Sequence, residues 1–381
     1  MIKASELIAR SLPQPQFLKT WEILNQGVSR GVAPGFVAGL WQKSFPDEIW
    51  VACTGSHSWD PASPPMKPET VFDLASVTKV LATAPLTALL VERGWISWDS
   101  QVSSILPDYP YPKIQIRHLL AHTAGFPAWK PFWKGLWSEF SIPIEQVSIQ
   151  KRQQAMRNHV YSVPPEVDPD VRCLYSDLSF LLLGFVLEEL LGLPLDQAVS
   201  RWLWRPMGLD GARYWRVTSA APSSSVLPLT RVAPTEQCPE RKRLLHAQVH
   251  DDNCWAMGGY GGHAGAFAPV RDVLHLARQL MCGFLTDSVL VPMWTRQRRP
   301  KGCERTLGWD TPSVQSSSCG LRFLPGTVGH LGFTGTSLWI DPQAELAVAL
   351  LCNRVHPSRE NSLMKEFRPQ FHEAIRLDLR K

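Results

Sequence analysis

The segment "VFDLASVTKVLATAPLTALL", from Val71 to Leu90, begins like a loop and continues as the apolar run of a buried helix. It places Ser76 and Lys79 one helical turn apart, so that their side chains can meet on one face. A serine hydroxyl becomes a useful nucleophile when a neighbouring base removes its proton. The positive end of the helix dipole, and a lysine whose pKa is lowered by apolar surroundings, would supply that activation.

The same pair has a simpler interpretation, in which Ser76 caps the helix and Lys79 extends to solvent. Because Ser-x-x-Lys arises often by chance, the pair alone does not decide between the two. Two later segments bear on the choice. "CLYSDLSFLLLGFVLEELLG" places Tyr175 just before a second buried helix, and "GHLGFTGTSLWIDP" places His330 and Gly332 on a strand.

The order of these motifs resembles that of the serine β-lactamase and penicillin-binding protein superfamily, in particular the class C β-lactamase-related group that includes esterases and D-aminopeptidases. The matching motifs begin at Ser76, at Tyr175 and at His330, where the family carries S-x-x-K, Y-x-N and K-T-G. Flanking stretches such as "IRHLLAHTAGF" and "GGHAGAF" extend the resemblance from about residue 30 to about residue 355. The resemblance implies a β-lactamase/transpeptidase-like α+β fold and a serine acyl-transfer site.

The resemblance also implies a role for each motif residue. Ser76 attacks a carbonyl carbon, while Lys79 and Tyr175 share the general-base and proton-relay work. The backbone N–H groups of Ser76 and Phe333 form the oxyanion hole, and Gly332 lets the strand approach the substrate closely. Nothing in the sequence calls for a metal ion or an organic cofactor.

Two departures from the family pattern bear on the substrate. Asp177 stands where β-lactamases carry an asparagine, and an ionised carboxylate only accepts hydrogen bonds. His330 replaces a lysine, so that a group expected to titrate near physiological pH stands where a permanent cation binds the substrate carboxylate. Both changes favour the hydrolysis of esters or peptide-like amides over efficient β-lactam hydrolysis. The expected activities still include weak β-lactam hydrolysis.

The distribution of strand and helix signals predicts a single β-lactamase-related domain over residues 1–381, with two lobes. Residues 1–70 and 305–381 are predicted to form a discontinuous α/β lobe, in which both termini build one antiparallel sheet flanked by helices. Residues 71–304 are predicted to be mainly helical, and the lobe inserted into the sheet is predicted to be all-helical. Helices are predicted at 4–30, 77–93 with a bend at Pro85, 116–122, 177–191, 272–281 and 362–379; strands are predicted in "GVAPGFVAGLWQ", "EIWVACTGSHS", "SCGLRFL", "VGHLGFTGTSLWIDP" and "ELAVALLCNRV".

The composition sets broad limits on the class of protein. The chain has 381 residues, 44% of them hydrophobic, which is enough for a large core. A net charge of +5 gives little ground for a nucleic-acid partner, and the basic run from Arg296 to Arg305 is interpreted as a solvated loop.

We find no apolar run of ~18 residues that would span a membrane and no signal-peptide pattern, and we expect a cytoplasmic location. The eight cysteines lack zinc-like spacing and are interpreted mostly as free thiols.

Several other residues attract attention without a clear catalytic pattern. His246 and His250, followed by two aspartates, lack a third anchored ligand, and we interpret them as ordinary hydrogen-bonding groups and not as a metal site. His122 and His263 are interpreted as structural histidines. The tryptophans of "FPAWKPFWKGLW" form either a packing stripe or an aromatic wall over the active-site cleft. They are Trp129, Trp133 and Trp137.

These observations lead to a serine hydrolase acting on a small-molecule ester, amide or β-lactam-like substrate. Two alternatives stay open. The first is a catalytically silent, penicillin-recognising scaffold that binds a peptidoglycan fragment or a partner protein. The second is an exported D,D-carboxypeptidase. The sequence leaves the oligomeric state open.

Overall fold

The computed structural model describes residues 2–218, 228–313 and 317–379. Its strands are β1 (Ile8–Ser11), β2 (Gly35–Gln42), β3 (Glu48–Gly55), β4 (Phe72–Asp73), β5 (Arg213–Tyr214), β6 (Gln237–Cys238), β7 (Arg243–Leu244), β8 (Ala266–Ala268), β9 (Val328–Leu331), β10 (Ser337–Asp341) and β11 (Leu346–Cys352). Its α-helices are α1 (Leu18–Ser29), α2 (Ala84–Glu92), α3 (Val102–Ile105), α4 (Ile116–Leu120), α5 (Phe132–Glu139), α6 (Ile149–Tyr161), α7 (Asp177–Leu191), α8 (Leu195–Val199), α9 (Arg205–Met207), α10 (Asp252–Ala256), α11 (Val270–Met281), α12 (Asp287–Trp294) and α13 (Met364–Asp378). Short 3₁₀ turns occur at Ala4–Glu6, Ala75–Val77, Ile144–Gln146 and Leu229–Arg231, and π-helical segments at Lys79–Thr83 and Ser200–Trp204.

A six-stranded sheet built from both ends of the chain organises the fold, in the order β1-β3-β2-β11-β10-β9. The prediction of an α+β architecture with a sheet from both termini is confirmed. One edge differs, because β1 runs parallel to β3 while the other neighbours are antiparallel. The helix predicted over 4–30 therefore begins only at Leu18, since edge pairing with β3 overrides the local pattern of residues 8–11.

The strand predicted in "SCGLRFL" is wrong. The structure has turns there, with Gly320 at a φ of +76°, a conformation that breaks a strand. Cys319 and Phe323 of this segment are nevertheless buried in the core beneath the sheet, which explains the apolar pattern that suggested a strand.

Helices cover both faces of the central sheet. On one face, α1 and α13 pack over it, and the rings of Phe36 and Phe367 stack with centroids 4.8 Å apart. On the other face, α11 lies so close to β2 that a Cβ atom at Gly39 would be 2.6 Å from Val270. The helix α11 thus covers the sheet although it falls within the range predicted for the helical lobe. The boundaries of that lobe remain a prediction.

The inserted segment is mainly helical, but its description as all-helical is wrong in one respect. The strands β4, β8 and β5 form a small three-stranded sheet, and β6 pairs with β7. The pair β4–β8 matters for function because Phe72 and Asp73 pair with Ala268 and Phe267 just before the turn that carries Ser76. The N–H of Leu74 continues this pairing by donating to the carbonyl of Ala266 at 3.0 Å.

The helix predicted over 77–93 is divided into a 3₁₀ turn, a π-helical segment and α2. Pro85 cannot donate to the carbonyl of Leu81, and the indole Nε1 of Trp204 donates to that carbonyl instead, at 2.9 Å. By length and composition, residues 75–92 pass as a membrane span, with a mean hydropathy of 1.3, but 83% of this window is buried inside the fold. Burial in the core accounts for its apolar character.

Candidate active site

The turn that presents Ser76 is held in an unusual backbone conformation. Ala75 has a φ of +47°, which an L-residue adopts only at a cost in free energy. The buried carboxylate of Asp73 supports it, because Oδ1 accepts the N–H of Ala75 at 2.9 Å and Oδ2 accepts the N–H of His250 at 2.6 Å. This turn places Ser76 between the start of the helix and the strand β9.

Lys79 lies fully buried behind Ser76, where its amine contacts four groups. Its Nζ atom lies 2.8 Å from Oδ1 of Asp177 and 3.0 Å from the carbonyl of His263. The remaining contacts are to Oγ of Ser76 at 3.0 Å and the hydroxyl of Tyr175 at 2.6 Å. The two acceptors therefore hold the amine within hydrogen-bonding distance of both hydroxyls. Burial lowers the pKa of Lys79, although Asp177 acts in the opposite sense.

Tyr175 completes the cluster, with its hydroxyl 2.7 Å from Oγ of Ser76. The ring of His122 packs against it at 4.7 Å, and Nδ1 of His122 accepts the N–H of Ser176 at 3.0 Å. Burial, with the nearby charge of Asp177, raises the pKa of Tyr175 well above its ordinary value. Tyr175 is therefore a neutral phenol that can pass a proton between its neighbours. His122 has the structural role that its sequence context suggested, as a group that positions Tyr175.

Two backbone N–H groups of the site are candidates for an oxyanion hole. Within the described residues, the N–H groups of Ser76 and Phe333 donate to no protein acceptor. Their approach depends on Gly332, because a Cβ atom there would lie 2.5 Å from the carbonyl of Leu74 and would also collide with Thr336. Thr336 itself donates to the Leu74 carbonyl at 2.9 Å, so it joins the two sides of the site.

The buried guanidinium of Arg368, from α13, fixes this turn from behind. It donates to the carbonyls of Gly332 at 2.5 Å and Thr336 at 3.2 Å. No local pattern indicates this residue's importance, because a lone arginine in a C-terminal helix is usually exposed. The side chain of Phe333 points outward, 52% exposed, and lines the approach to the site.

His330 does not titrate near physiological pH, although its sequence context suggested that it would. The side chain is buried, and burial lowers the pKa of His330 to about 4. Its Nδ1 lies 2.8 Å from the carbonyl of Leu331, which suits a neutral ring that donates from this nitrogen. Its ring centroid is 6.0 Å from that of Tyr175, so it borders the cluster as an uncharged group.

Asp177 contacts the cluster through its carboxylate, and its role toward a substrate stays a prediction. Its carboxylate forms an ion pair with Lys79 and is largely buried. Its backbone N–H donates to the carbonyl of Ala128 at 3.0 Å, which ties the start of α7 to the loop before α5.

An arginine and an aspartate beside Tyr175 were missed by the sequence interpretation. The guanidinium of Arg305 lies 5.1 Å from the Tyr175 ring centroid and forms an ion pair with Asp310. Both groups line a cavity of about 370 Å³. The basic run was interpreted as a solvated loop, and its last residue, Arg305, instead lies over the Tyr175 ring.

The residues weighed as a metal site make other interactions. His246 bonds to the carbonyl of Val232 at 2.9 Å, and His250 contacts Glu236 at 3.1 Å. Asp251 accepts from His263 at 2.9 Å, while Asp252 forms ion pairs with arginines. Among the residues that the structure describes, no group of three or more candidate ligands is arranged to hold a metal ion.

The tryptophan segment divides between the two interpretations. Trp133 and Trp137 pack edge to face at 4.6 Å, and Trp137 continues to Trp255 at 5.7 Å, which is core packing. Trp129 is 47% exposed on the loop whose Ala128 carbonyl holds Asp177. Of the three tryptophans, Trp129 is the one that is exposed.

Comparisons with known proteins agree with this site. The β-lactamase family model matches residues 31–371. A provisionally named D-alanyl-D-alanine carboxypeptidase of Salmonella agona (strain SL483) is 30% identical over 319 residues, which cover 75% of this chain and 70% of that protein. A protein of the same name from Salmonella typhi is 31% identical over the same shares.

Solved structures share the fold. EstCE1, a hydrolase with promiscuous acyltransferase activity, has a TM-score of 0.71 at 22% identity, with 95% of this chain and 98% of that chain covered. Simvastatin synthase (LovD) from Aspergillus terreus has a TM-score of 0.69 at 18% identity, with 95% and 98% covered. The fold and the site define a serine hydrolase that works through acyl transfer. The chain belongs to the β-lactamase family, whose members act on small esters, amides or peptide-like molecules.

Proposed function

We propose that this serine hydrolase cleaves small, uncharged carboxylic esters and, more slowly, peptide-like amides, through an acyl-enzyme on Ser76. One observation carries the proposal. The hydrogen-bonded cluster of Ser76, Lys79 and Tyr175 is complete, while the position that carries a lysine in β-lactamases holds the buried, neutral His330. Without a permanent cation at that position, the site gains little by binding a substrate carboxylate. A neutral ester is therefore bound about as well as a substrate that carries a carboxylate.

The first half of the reaction follows from the geometry. Oγ of Ser76 attacks the carbonyl carbon while its proton passes to Nζ of Lys79, whose lowered pKa suits a base. The oxyanion is held by the N–H groups of Ser76 and Phe333. When the intermediate collapses, Lys79 returns the proton through the Tyr175 hydroxyl to the leaving group. Tyr175 serves as a relay because its raised pKa keeps the phenol protonated.

The second half reverses these roles. Water attacks the ester carbonyl of the acyl-enzyme, its proton passes to the Lys79 and Tyr175 pair, and Ser76 leaves with a proton. Trp129 and Phe333, both about half exposed beside the site, offer apolar surface to an acyl or alcohol group.

A substrate panel tests the proposal. We expect kcat/KM for p-nitrophenyl butyrate to exceed that for the tripeptide diacetyl-L-Lys-D-Ala-D-Ala by at least about 100-fold, which corresponds to about 2.7 kcal/mol of transition-state stabilisation. Nitrocefin should be hydrolysed slowly. Ser76→Ala should abolish every activity. Faster cleavage of the tripeptide than of the ester would contradict the ester preference while leaving the Ser76 mechanism intact.

D,D-carboxypeptidase activity is the second candidate, and two observations favour it. Relatives at 30–31% identity carry that name. Arg305 also supplies a guanidinium 5.1 Å from the Tyr175 ring, where it could meet a terminal carboxylate. If the tripeptide is the better substrate, Arg305→Gln should raise its KM and leave the KM for the neutral ester unchanged. A cytoplasmic location is likewise proposed, and cell fractionation tests it.

A further inference from the structure

Two cysteines that are far apart in the sequence meet beside the active site. Cys173 and Cys303 are separated by 130 positions, yet their Sγ atoms lie 2.8 Å apart. Cys173 stands two residues before Tyr175, and Cys303 stands two residues before Arg305, whose guanidinium lies over the Tyr175 ring. In the described part of the chain, no other two thiols are in such contact.

The surroundings of the pair favour reaction at Cys303. The contact with the Cys173 sulfur lowers the pKa of Cys303 to about 7, and the backbone N–H and charge of Arg305 act in the same direction. The same interaction raises the pKa of Cys173, which therefore keeps its proton. Both sulfurs line the cavity of about 370 Å³, so a small oxidant can reach them from solvent.

We propose that Cys173 and Cys303 are a thiol pair that hydroperoxides oxidise to a disulfide, a modification that ties the segment carrying Tyr175 to the loop carrying Arg305. In the first step, the Cys303 thiolate attacks the peroxide, the O–O bond breaks, and a sulfenic acid and an alcohol or water are formed. The Cys173 sulfur then attacks the sulfenic sulfur, the S–S bond forms, and water leaves with the Cys173 proton. Two electrons pass from the thiols to the peroxide.

The disulfide requires little rearrangement near the cluster. A disulfide bond is about 2.05 Å long, so the two sulfurs need to approach by well under an ångström together. The backbone on the Cys173 side is already fixed, because the N–H of Leu174 donates to the carbonyl of His122 at 3.0 Å. We therefore expect oxidation to keep the rate of ester hydrolysis within about twofold and to raise Tm, since the bond closes a long loop of the unfolded chain.

The test treats the folded, full-length protein with hydrogen peroxide, quenches with N-ethylmaleimide and maps the peptides by mass spectrometry. A Cys173–Cys303 cross-linked peptide that appears before any other cysteine is oxidised supports the proposal. Initial oxidation of another cysteine, or sulfinic acid on Cys303 without a cross-link, would overturn it. This readout on the wild-type chain does not depend on hydrolase activity.

Two serine variants sharpen the result. Cys173→Ser should stop the oxidation of Cys303 at the sulfenic acid, which dimedone traps, and should remove the increase in Tm. Cys282→Ser is the matched control, because Cys282 is exposed and distant in sequence from both partners, and this variant should form the cross-link as the wild type does. An increase in Tm on oxidation of Cys173→Ser equal to that of the wild type would contradict the proposed pairing.

Discussion

Nζ of Lys79 lies 2.8 Å from Oδ1 of Asp177, and this ion pair connects the two helices that carry the motifs of the site. Asp177 occupies the first residue of α7, and Lys79 opens the π-helical segment after Ser76. The carboxylate orients the amine and opposes the effect of burial on its pKa. Asp177 thus acts directly on Lys79.

Replacing Asp177 with asparagine tests that relationship. The amide oxygen can still accept from Lys79, so we expect kcat/KM at the optimal pH to stay within about tenfold, or about 1.4 kcal/mol. Because the anion that favours the ammonium form is gone, the pKa of Lys79 falls and the acidic limb of the pH–rate profile moves to lower pH. Asp168→Asn, at an exposed aspartate paired with Lys113, is the control. A shift to higher pH in Asp177→Asn would contradict this assignment.

Tyr175→Phe removes the hydroxyl that contacts both Ser76 and Lys79. We expect kcat to fall by about 10²- to 10⁴-fold, the range typical of a lost proton-transfer group, with KM for the ester little changed. Tyr109→Phe provides the matched control, since Tyr109 is also buried and its hydroxyl has no partner in the described part of the chain. Equal losses in both variants would show a general structural effect instead of proton relay.

His330→Gln tests whether His330 is neutral in the folded protein. Its pKa is about 4 when folded and about 6.5 when unfolded, so the unfolded chain binds the extra proton first. His330 therefore contributes to the free energy of unfolding above about pH 6.5. This contribution is lost as the pH falls towards 4, and the total loss is about 3 kcal/mol at most. Denaturant unfolding from pH 7 to 4.5 should show a smaller loss of stability in His330→Gln than in the wild type. Parallel curves for the two proteins would show that folding leaves the pKa of His330 unchanged and would contradict this assignment.

Arg368→Met tests the support behind the oxyanion hole. Without its hydrogen bonds to the carbonyls of Gly332 and Thr336, the turn that carries the Phe333 N–H loosens. We expect kcat to fall by about tenfold, less than the 10²- to 10³-fold loss of a whole donor, with KM nearly unchanged. Arg376→Met, in the same helix but bonded to Asp341 and the Arg322 carbonyl, should lose stability without this fall in kcat. An equal fall in kcat in both variants would contradict the role assigned to Arg368 in supporting the oxyanion hole.

The sequence predicted those parts of the molecule whose causes are local. The helix predicted over 177–191 has those bounds in the structure, because a continuous apolar run ends at Gly192, whose φ of +61° closes the helix. The motifs likewise identified Ser76, Lys79 and Tyr175, which the structure brings within hydrogen-bonding distance.

Features that depend on distant contacts could not be predicted. The pKa of His330 depends on how deeply the fold buries it, and no local pattern states that depth. Arg305 and Arg368 come from a loop and a C-terminal helix whose approach to the site is set by tertiary packing. The strand β1 was missed for the same reason, since its pairing partner lies some forty positions downstream.

The most direct test of the account is intact-protein mass spectrometry after reaction with a fluorophosphonate, comparing the wild type with Ser76→Ala and Tyr109→Phe. We predict a single adduct on the wild type and on Tyr109→Phe, located at Ser76 by peptide mapping, and none on Ser76→Ala. An unlabelled wild type that circular dichroism shows to be folded, or an adduct that persists in Ser76→Ala, would contradict the claim that Ser76 is the activated nucleophile. The first of those results would favour the catalytically silent scaffold.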